Sequence, residues 1–93
     1  MSQRAIYRYE VPVDDQWHEI MMSGKITGTG SRRPGVVEFW ALASTDPDYA
    51  SPRSFRVYGT GHALPDDVRP DQLHGSVIAG GGLVVWHLVE RKI

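Results

Sequence analysis

Cysteine is absent from this sequence, and neither sign of charge dominates it. Without cysteine the chain has no disulfide, no zinc site built on thiolates and no cysteine nucleophile. Its 93 residues include 10 basic and 11 acidic ones, which give a formal net charge of −1. Because no global field attracts nucleic acid or an anionic membrane, we expect neither of them as a partner.

Long apolar runs are missing as well. Apolar runs such as the one at 83–86 are far shorter than the ~20 residues that a membrane-spanning helix needs. The opening MSQRAIYRYE lacks the apolar segment of a signal peptide, so we expect an intracellular location. The length fits a single domain over residues 1–93 with a modest core.

Alternation of apolar and polar residues is the pattern that the chain does have, and no window shows a helical stripe. Strands are predicted over 4–11, 16–22, 25–33, 36–44, 53–60, 73–80 and 83–90. Two glycines inside the third strand predict a bulge, and the run at 80–82 predicts a hairpin between the last two strands. At most one helical turn is expected, beginning at Pro70. The fold class is therefore all-β, a small antiparallel sandwich or barrel of six to seven short strands.

The strands at 36–44 and 83–90 are apolar on both faces, a pattern that is typical of strands covered on both sides. Either long loops fold over one face, or a second copy of the chain covers it. We favour self-association, as a dimer or a ring, because pairing of copies also hides an edge strand. The tryptophans are assigned to the core, and Tyr7 and Tyr58 are expected to meet solvent or a partner.

His62 lies in the segment YGTGHALPDD, between a Gly-Thr-Gly corner and a proline. Gly59 and Gly61 permit left-handed backbone, so His62 can simply complete a tight corner. Alternatively, His62 and Thr60 contact a ligand, with loop N–H groups as an anion nest. The segment lacks the Lys-Ser/Thr ending of a P-loop and the third glycine of a dinucleotide fingerprint, so we expect no cofactor.

Other reactive groupings are weak. The four histidines lie on different elements without close spacing, so no metal site is predicted, and His87 is assigned to the core as a hydrogen-bonded residue. The pairs at 14–15 and 66–67 are aspartates in proline-containing loops, which is ordinary turn chemistry. No G-x-S-x-G elbow marks a serine nucleophile, so the protein is not expected to be an enzyme.

Basic residues near glycines supply the remaining ligand hypothesis. Lys25, Arg32 and Arg33 could bind phosphates, or they could be the solvated ends of strands. Together with Thr60 and His62 they form the predicted ligand-binding set.

The segments IYRYEVPV, VEFWALAS, RVYGTGHALPDD and LVVWHLVE together resemble a family of small uncharacterised proteins of bacteriophages and prophages, notably of actinobacteria. The resemblance spans roughly residues 5–90, and its most specific parts are the YGTGHxLP and WHxxE patterns. It implies a phage accessory protein that acts in the host cytoplasm, and it assigns no role to any residue.

Three functions follow as hypotheses. The first is a non-enzymatic binding module that acts on a host protein through a sheet edge and exposed aromatic residues. The second is a sponge for a nucleotide-like molecule or anion that counters host defence. The third is a minor structural protein of the virion.

Overall fold

The structure, a computed structural model, describes residues 3–82 and 84–91. Within these ranges the chain forms seven strands in two sheets, and every pair of neighbouring strands is antiparallel. The strands are β1 (Arg4–Pro12), β2 (His18–Met22), β3 (Lys25–Gly30), β4 (Val36–Ser44), β5 (Ser51–Gly59), β6 (Leu73–Ala79) and β7 (Val84–Arg91). The three-stranded sheet has the order β1-β4-β3, and the four-stranded sheet has the order β2-β5-β7-β6. The predicted all-β fold is confirmed.

Turn chemistry places the short 3₁₀ segments. The predicted turn forms at Pro70–Gln72, and two further three-residue turns occur at Pro47–Tyr49 and Gly80–Gly82. The expectation of at most one turn misses the second because the Asp46 side chain accepts a hydrogen bond from the backbone N–H of Asp48, which caps it. The third lies within the predicted hairpin between β6 and β7. Leu83, which begins the last predicted strand, lies outside the described residues.

The core lies between the two sheets and follows the alternation of the strands. Its buried members are Val11, Met22, Val37, Phe39, Ala41, Phe55, Val57, Val77 and Leu88. Phe39 of β4 meets Phe55 of β5 across the sandwich with their ring centroids 4.7 Å apart, and Tyr9 stacks on Phe39 at 5.2 Å. The predicted bulge in β3 also forms, as a shift of register between Ile26 and Gly28.

The outer faces of the two sheets are covered differently. On the four-stranded sheet, Leu64 of the loop after β5 lines the same cavity as Val89, the Pro70–Gln72 turn contacts β7, and Val89 is fully buried. On the three-stranded sheet, the indole of Trp40 lies against Gly30. Trp40 is therefore outside the core to which it was assigned. Both outer faces leave large apolar side chains exposed: Ile6 at 66% and Leu42 at 36% on the three-stranded sheet, and Ile78 at 70% and Met21 at 60% on the four-stranded sheet.

No helix within residues 3–82 and 84–91 has the length and apolar character to span a membrane.

Candidate functional site

The two glycines of the corner after β5 have different roles: Gly61 supplies a backbone conformation, and Gly59 leaves room for a ring. The backbone N–H of His62 donates to the carbonyl of Gly59 at 3.2 Å, and Gly61 adopts a φ of +86° that favours glycine. Gly59 does not need left-handed backbone, contrary to the prediction. Instead, the His62 ring lies directly against it, and a Cβ at residue 59 would approach the His62 Cε1 to 3.0 Å. The corner therefore fixes where the imidazole lies.

Beside this corner the outer face of the four-stranded sheet contains a cavity of about 380 Å³, which we term the outer cavity. This volume is at the lower end of the range of small-molecule sites. Its apolar lining comes from Tyr58, Leu64, Leu73 and Val89. Its polar lining comes from Thr60, His62, Ser76 and His87. Among the described residues that line it, none carries a carboxylate or a permanent positive charge.

His87 lies at the centre of the polar lining. Its Nε2 is 2.7 Å from the Thr60 Oγ1, and its Nδ1 is 2.9 Å from the Ser76 Oγ. A neutral imidazole has one donor nitrogen and one acceptor nitrogen, so one hydroxyl donates to the ring and the other accepts from it. The sequence-based assignment of His87 to the core is wrong, because the side of β7 that carries it faces away from the core.

Strand register brings these three side chains together. Ser76 of β6 lies directly opposite His87 of β7, and Tyr58 of β5 lies opposite His87 on the other side. Thr60 follows Tyr58 by two residues, which returns its side chain to the same face. The register of β6 shifts between Leu73 and Ser76, and this bulge allows both residues to reach the outer cavity.

Tyr58 is held firmly in the lining and is only 6% exposed, so the expectation that it meets solvent is wrong. The guanidinium carbon of Arg56 lies 4.5 Å from the centre of its ring. Trp17 meets it edge to face with ring centroids 6.3 Å apart. Both contacts favour a fixed ring, because aromatic pairs and cation–π contacts are directional. Tyr7, by contrast, is exposed as predicted.

Of the predicted ligand-binding set, the structure brings together only Thr60 and His62. Lys25 lies at the start of β3 beside a shallow depression, with Arg4 and Tyr49. Arg32 and Arg33 follow the other end of β3. Within one protomer, therefore, the three basic residues do not line the outer cavity.

Arg32 and Arg33 neutralise glutamates. The buried Glu38 accepts from Arg32 Nε at 2.9 Å and from Arg8 Nη1 at 2.6 Å. These hydrogen bonds, from Arg32 first and Arg8 second, lower the pKa of Glu38 to about 2. Arg33 and Arg8 bind Glu10. The spacing of Arg32 and Arg33 beside glycines gave no sign of these partners, because the glutamates come from β1 and β4.

A second buried glutamate links three strands of the four-stranded sheet. Glu90 of β7 accepts from Arg53 Nε at 2.7 Å, and its Oε1 lies 2.6 Å from His74 Nε2. Burial raises the pKa of Glu90, but the hydrogen bonds from His74 and Arg53 outweigh it and bring the pKa to about 2. His74 is thus accounted for by its hydrogen bond to Glu90.

Metal binding has no support in the part of the chain that the structure describes. No group of three or more histidine, aspartate or glutamate side chains is placed there so as to hold an ion.

The sequence did not identify His87 and Ser76 as site residues. The available signal was weak: both have polar side chains on strands with apolar neighbours, but the pairing of β6 with β7 was needed to bring them together. The corner sequence, in contrast, singled out Thr60 and His62, and both line the outer cavity.

Comparison with known proteins identifies a family without assigning a role. The DUF7352 family, described as a domain of unknown function, matches residues 2–93, so the chain belongs to it. No curated protein and no solved structure showed a significant match.

Proposed function

We propose that this member of the DUF7352 family is a non-enzymatic binding protein that takes a small molecule into the outer cavity. The observation that carries the proposal is the convergence of Thr60, Ser76 and His87 on one apolar-walled space. Ligand sites commonly combine apolar walls with a few precisely placed polar groups. The hydroxyls and the imidazole can each exchange a donor for an acceptor, which suits a ligand with both.

The lining favours a neutral planar ring over a phosphate. Tyr58, Leu64 and Val89 offer apolar and aromatic surface, while the lining residues supply no guanidinium or ammonium group. A phosphate would enter without the charge-assisted partners that it normally takes. Of the nucleotide-like ligands first considered, the nucleobase or nucleoside portion is therefore the part that fits this cavity.

A hydroxyl beside an imidazole is also the arrangement of a nucleophile and its base. We favour binding because both ring nitrogens of His87 are engaged by hydroxyls, and within the described residues no carboxylate orients the ring. Hydrolysis of an activated ester such as p-nitrophenyl acetate is therefore expected to be no faster for the wild type than for T60V. A faster wild-type reaction would contradict the non-enzymatic proposal.

The biological setting is part of the proposal. The YGTGHxLP and WHxxE patterns support a phage accessory protein in the host cytoplasm, and sequestration of a base-containing host signal would counter a defence. Both patterns contribute residues to the outer cavity, His62 from the first and His87 from the second. A role in the virion remains a prediction from size alone.

Binding of a host protein is the second candidate, and the edge of β2 favours it. Within the described residues β2 pairs only with β5, and Met21 on this strand is 60% exposed. Exposed methionines adapt to varied partners, and an unpaired edge accepts an added strand. A host protein retained by the wild type and lost with M21E would support this candidate, whereas equal retention by both would oppose it.

Self-association completes the proposal. The loop after β5 covers part of the outer face of the four-stranded sheet, where Ile78 and Met21 remain exposed but lie on separate strands at opposite edges. Ile6 and Leu42, directly opposite each other on β1 and β4, are exposed on the three-stranded sheet. Because they are adjacent, these two residues carry our argument for a dimer or ring.

The test of the outer cavity uses adenine, adenosine, adenosine monophosphate, uracil, uridine and inorganic phosphate as probes in thermal-shift and NMR titrations. We expect one of the base-containing probes to bind and phosphate alone to have no effect. A ligand at 100 times its Kd stabilises the native state by about 2.7 kcal/mol, which both methods detect. H87F, which keeps a ring but removes its nitrogens, should lose binding.

H18F is the matched control, because His18 pairs with Asp14 away from the outer cavity. It should retain the affinity of the wild type. Absence of binding by all the base-containing probes, or equal binding by H87F, would overturn the proposed ligand class.

A further inference from the structure

Strand β1 has one edge that no described residue pairs with. Its other edge is bonded to β4 from Arg4 to Pro12. Two hydrogen bonds at the ends of this pairing fix which backbone groups face which way. The N–H of Thr45 donates to the carbonyl of Gln3 at 2.8 Å, and the N–H of Val13 donates to the carbonyl of Gly35 at 2.9 Å.

Because hydrogen bonding alternates along an antiparallel strand, the backbone groups of the odd-numbered residues of β1 point towards β4. Those of the even-numbered residues point to the unpaired edge. These are Arg4, Ile6, Arg8 and Glu10, and then Pro12, which has no N–H and so ends the row of donors.

Of the common devices that protect an edge strand, this edge has charged side chains at Arg4, Arg8 and Glu10, and these charges restrict which strand can pair with it. No bulge interrupts the pairing of β1 with β4, and the proline comes only at the end. Ile6 and Tyr7 in the middle of the strand are 66% and 39% exposed. The edge is thus open to another extended chain.

We propose that this edge pairs antiparallel with the same edge of a second copy, about a two-fold axis at Tyr7. The inference rests on the proposed self-association and identifies its surface. When two copies pair about a two-fold axis, the core-facing sides of their three-stranded sheets lie on the same side of the joined sheet. Each even-numbered residue of β1 must therefore lie opposite an even-numbered residue of the partner subunit.

Charge then selects the register from those centred on Ile6, Tyr7 and Arg8. A centre at Ile6 places Arg4 opposite Arg8 of the partner subunit. A centre at Arg8 places Arg8 opposite its own copy, with Arg4 opposite Pro12 of the partner subunit, where a donor is missing. Like charges directly opposite each other destabilise a strand pair.

A centre at Tyr7 has neither defect. Arg4 lies opposite Glu10 of the partner subunit, and Ile6 lies opposite Arg8 of the partner subunit, whose aliphatic stem can pack on it. The outward groups then form about eight backbone hydrogen bonds across the axis. The two copies of Tyr7 meet as a non-hydrogen-bonded pair with Cα atoms about 4.5 Å apart.

This pairing joins the two three-stranded sheets into one continuous sheet through β1. An interface made mainly by one strand from each copy is smaller than the roughly 1,200 Å² of stable complexes. We therefore expect a reversible dimer with a Kd on the order of micromolar.

Cysteine cross-linking tests the register without background, because the chain has no cysteine. In the proposed dimer Y7C places two thiols within the Cα separation that a disulfide accepts, whereas I6C places them about two residues out of line. Mild oxidation at a concentration where sedimentation shows dimer should link most of Y7C and less than about a tenth of I6C. Linkage of I6C and not of Y7C would overturn the Tyr7-centred register.

I6P provides a test that does not depend on cross-linking. It removes an outward N–H and should leave the bonds to β4 intact, so circular dichroism should match the wild type while the dimer Kd rises at least tenfold. The control I6V keeps the N–H and should dimerise normally. An I6P protein that remains folded and dimeric would place the interface elsewhere. A wild type that is monomeric at all concentrations up to the millimolar range would overturn self-association itself.

Discussion

The Nε2 of His87 lies 2.7 Å from the Oγ1 of Thr60, so the last strand is joined to the corner that follows β5. The contact spans 27 residues of sequence and depends on the pairing of Tyr58 with His87. Because the corner also positions His62, a substitution at the corner should alter the surroundings of both imidazoles of the outer cavity, those of His62 and His87. The first two predictions use this coupling.

Replacing the Thr60 hydroxyl with a methyl group in T60V should cost stability and alter His87. Loss of one hydrogen bond typically costs about 0.5–1.5 kcal/mol, and Thr60 is exposed, so we expect the lower part of that range. Urea unfolding measures the cost, and NMR of the ring reports the change at His87.

T27V is the matched control for T60V. Thr27 on the bulge of β3 donates to the carbonyl of Trp40 at 3.3 Å within the three-stranded sheet, whereas His87 belongs to the four-stranded sheet. Its substitution should leave the His87 resonances unchanged. If T27V and T60V changed them equally, the contact between Thr60 and His87 would not exist in solution.

Alanine at the two corner glycines should have different effects on stability and on the His62 ring. G61A forces a side chain into a φ of +86° in open space, so it should destabilise the fold by about 1–3 kcal/mol without a clash. G59A meets the His62 ring instead, which can swing away, so it should cost less and shift the His62 resonances more. Urea midpoints and ring NMR together distinguish the two effects. Equal destabilisation by both would mean that the corner differs from the one described.

Much of the fold could be predicted because alternation survives in each strand separately. The face of β4 with Val37, Phe39 and Ala41 is buried as its pattern predicts, and the glycines of β3 produce a bulge. The segment that covers the second apolar face of a strand was not predictable in the same way. The apolar second face of β7 is satisfied by the distant loop after β5, a contact that no local pattern encodes.

The site shows the same division. Thr60 and His62 are two residues apart in sequence, so the corner that made them candidates also keeps them close together in the fold. Ser76 and His87 meet only through strand register, which the sequence did not reveal. The sequence predicts ligand binding by Arg32 from its charge beside glycines, but its partner Glu38 lies across a turn, and their contact depends on the fold.

The stability of the protein should fall in acid, in part through Glu90. Its pKa of about 2 in the folded protein lies below the ordinary value of 4.5. The native state therefore favours the ionised carboxylate more than the unfolded chain does. This contribution is fully present above about pH 5 and is lost as the pH falls towards 2. Its size is roughly 2–3 kcal/mol, and the lowered pKa of Glu38 acts in the same direction. Urea unfolding between pH 7 and pH 2 measures it.

E90Q separates the contribution of Glu90 from that of the other carboxylates. The variant leaves Arg53 and His74 without their buried anion, so it should be about 3 kcal/mol less stable at pH 7. Its stability should then fall less steeply between pH 5 and pH 2. E19Q, at an exposed glutamate of β2, should keep the wild-type slope. A wild-type slope in E90Q would mean that Glu90 is not the anion held by these partners.

The strictest requirement for glycine lies at the turn between β2 and β3. Gly24 has a φ of +87°, and a Cβ there would lie 2.0 Å from the carbonyl oxygen of Leu42, a backbone atom that cannot move alone. The carbonyl of Gly24 also accepts from Arg53 Nη1 at 2.7 Å, which ties the turn to the four-stranded sheet. Gly35 has a similar φ of +77° but open space around it, so G35A should cost only about 1–3 kcal/mol for the backbone. G24A carries the same backbone cost and must in addition push the turn away from β4. We therefore expect G35A to fold and G24A to unfold at markedly lower urea or to remain insoluble. Equal urea midpoints for the two variants would show that the turn does not pack against β4 as described.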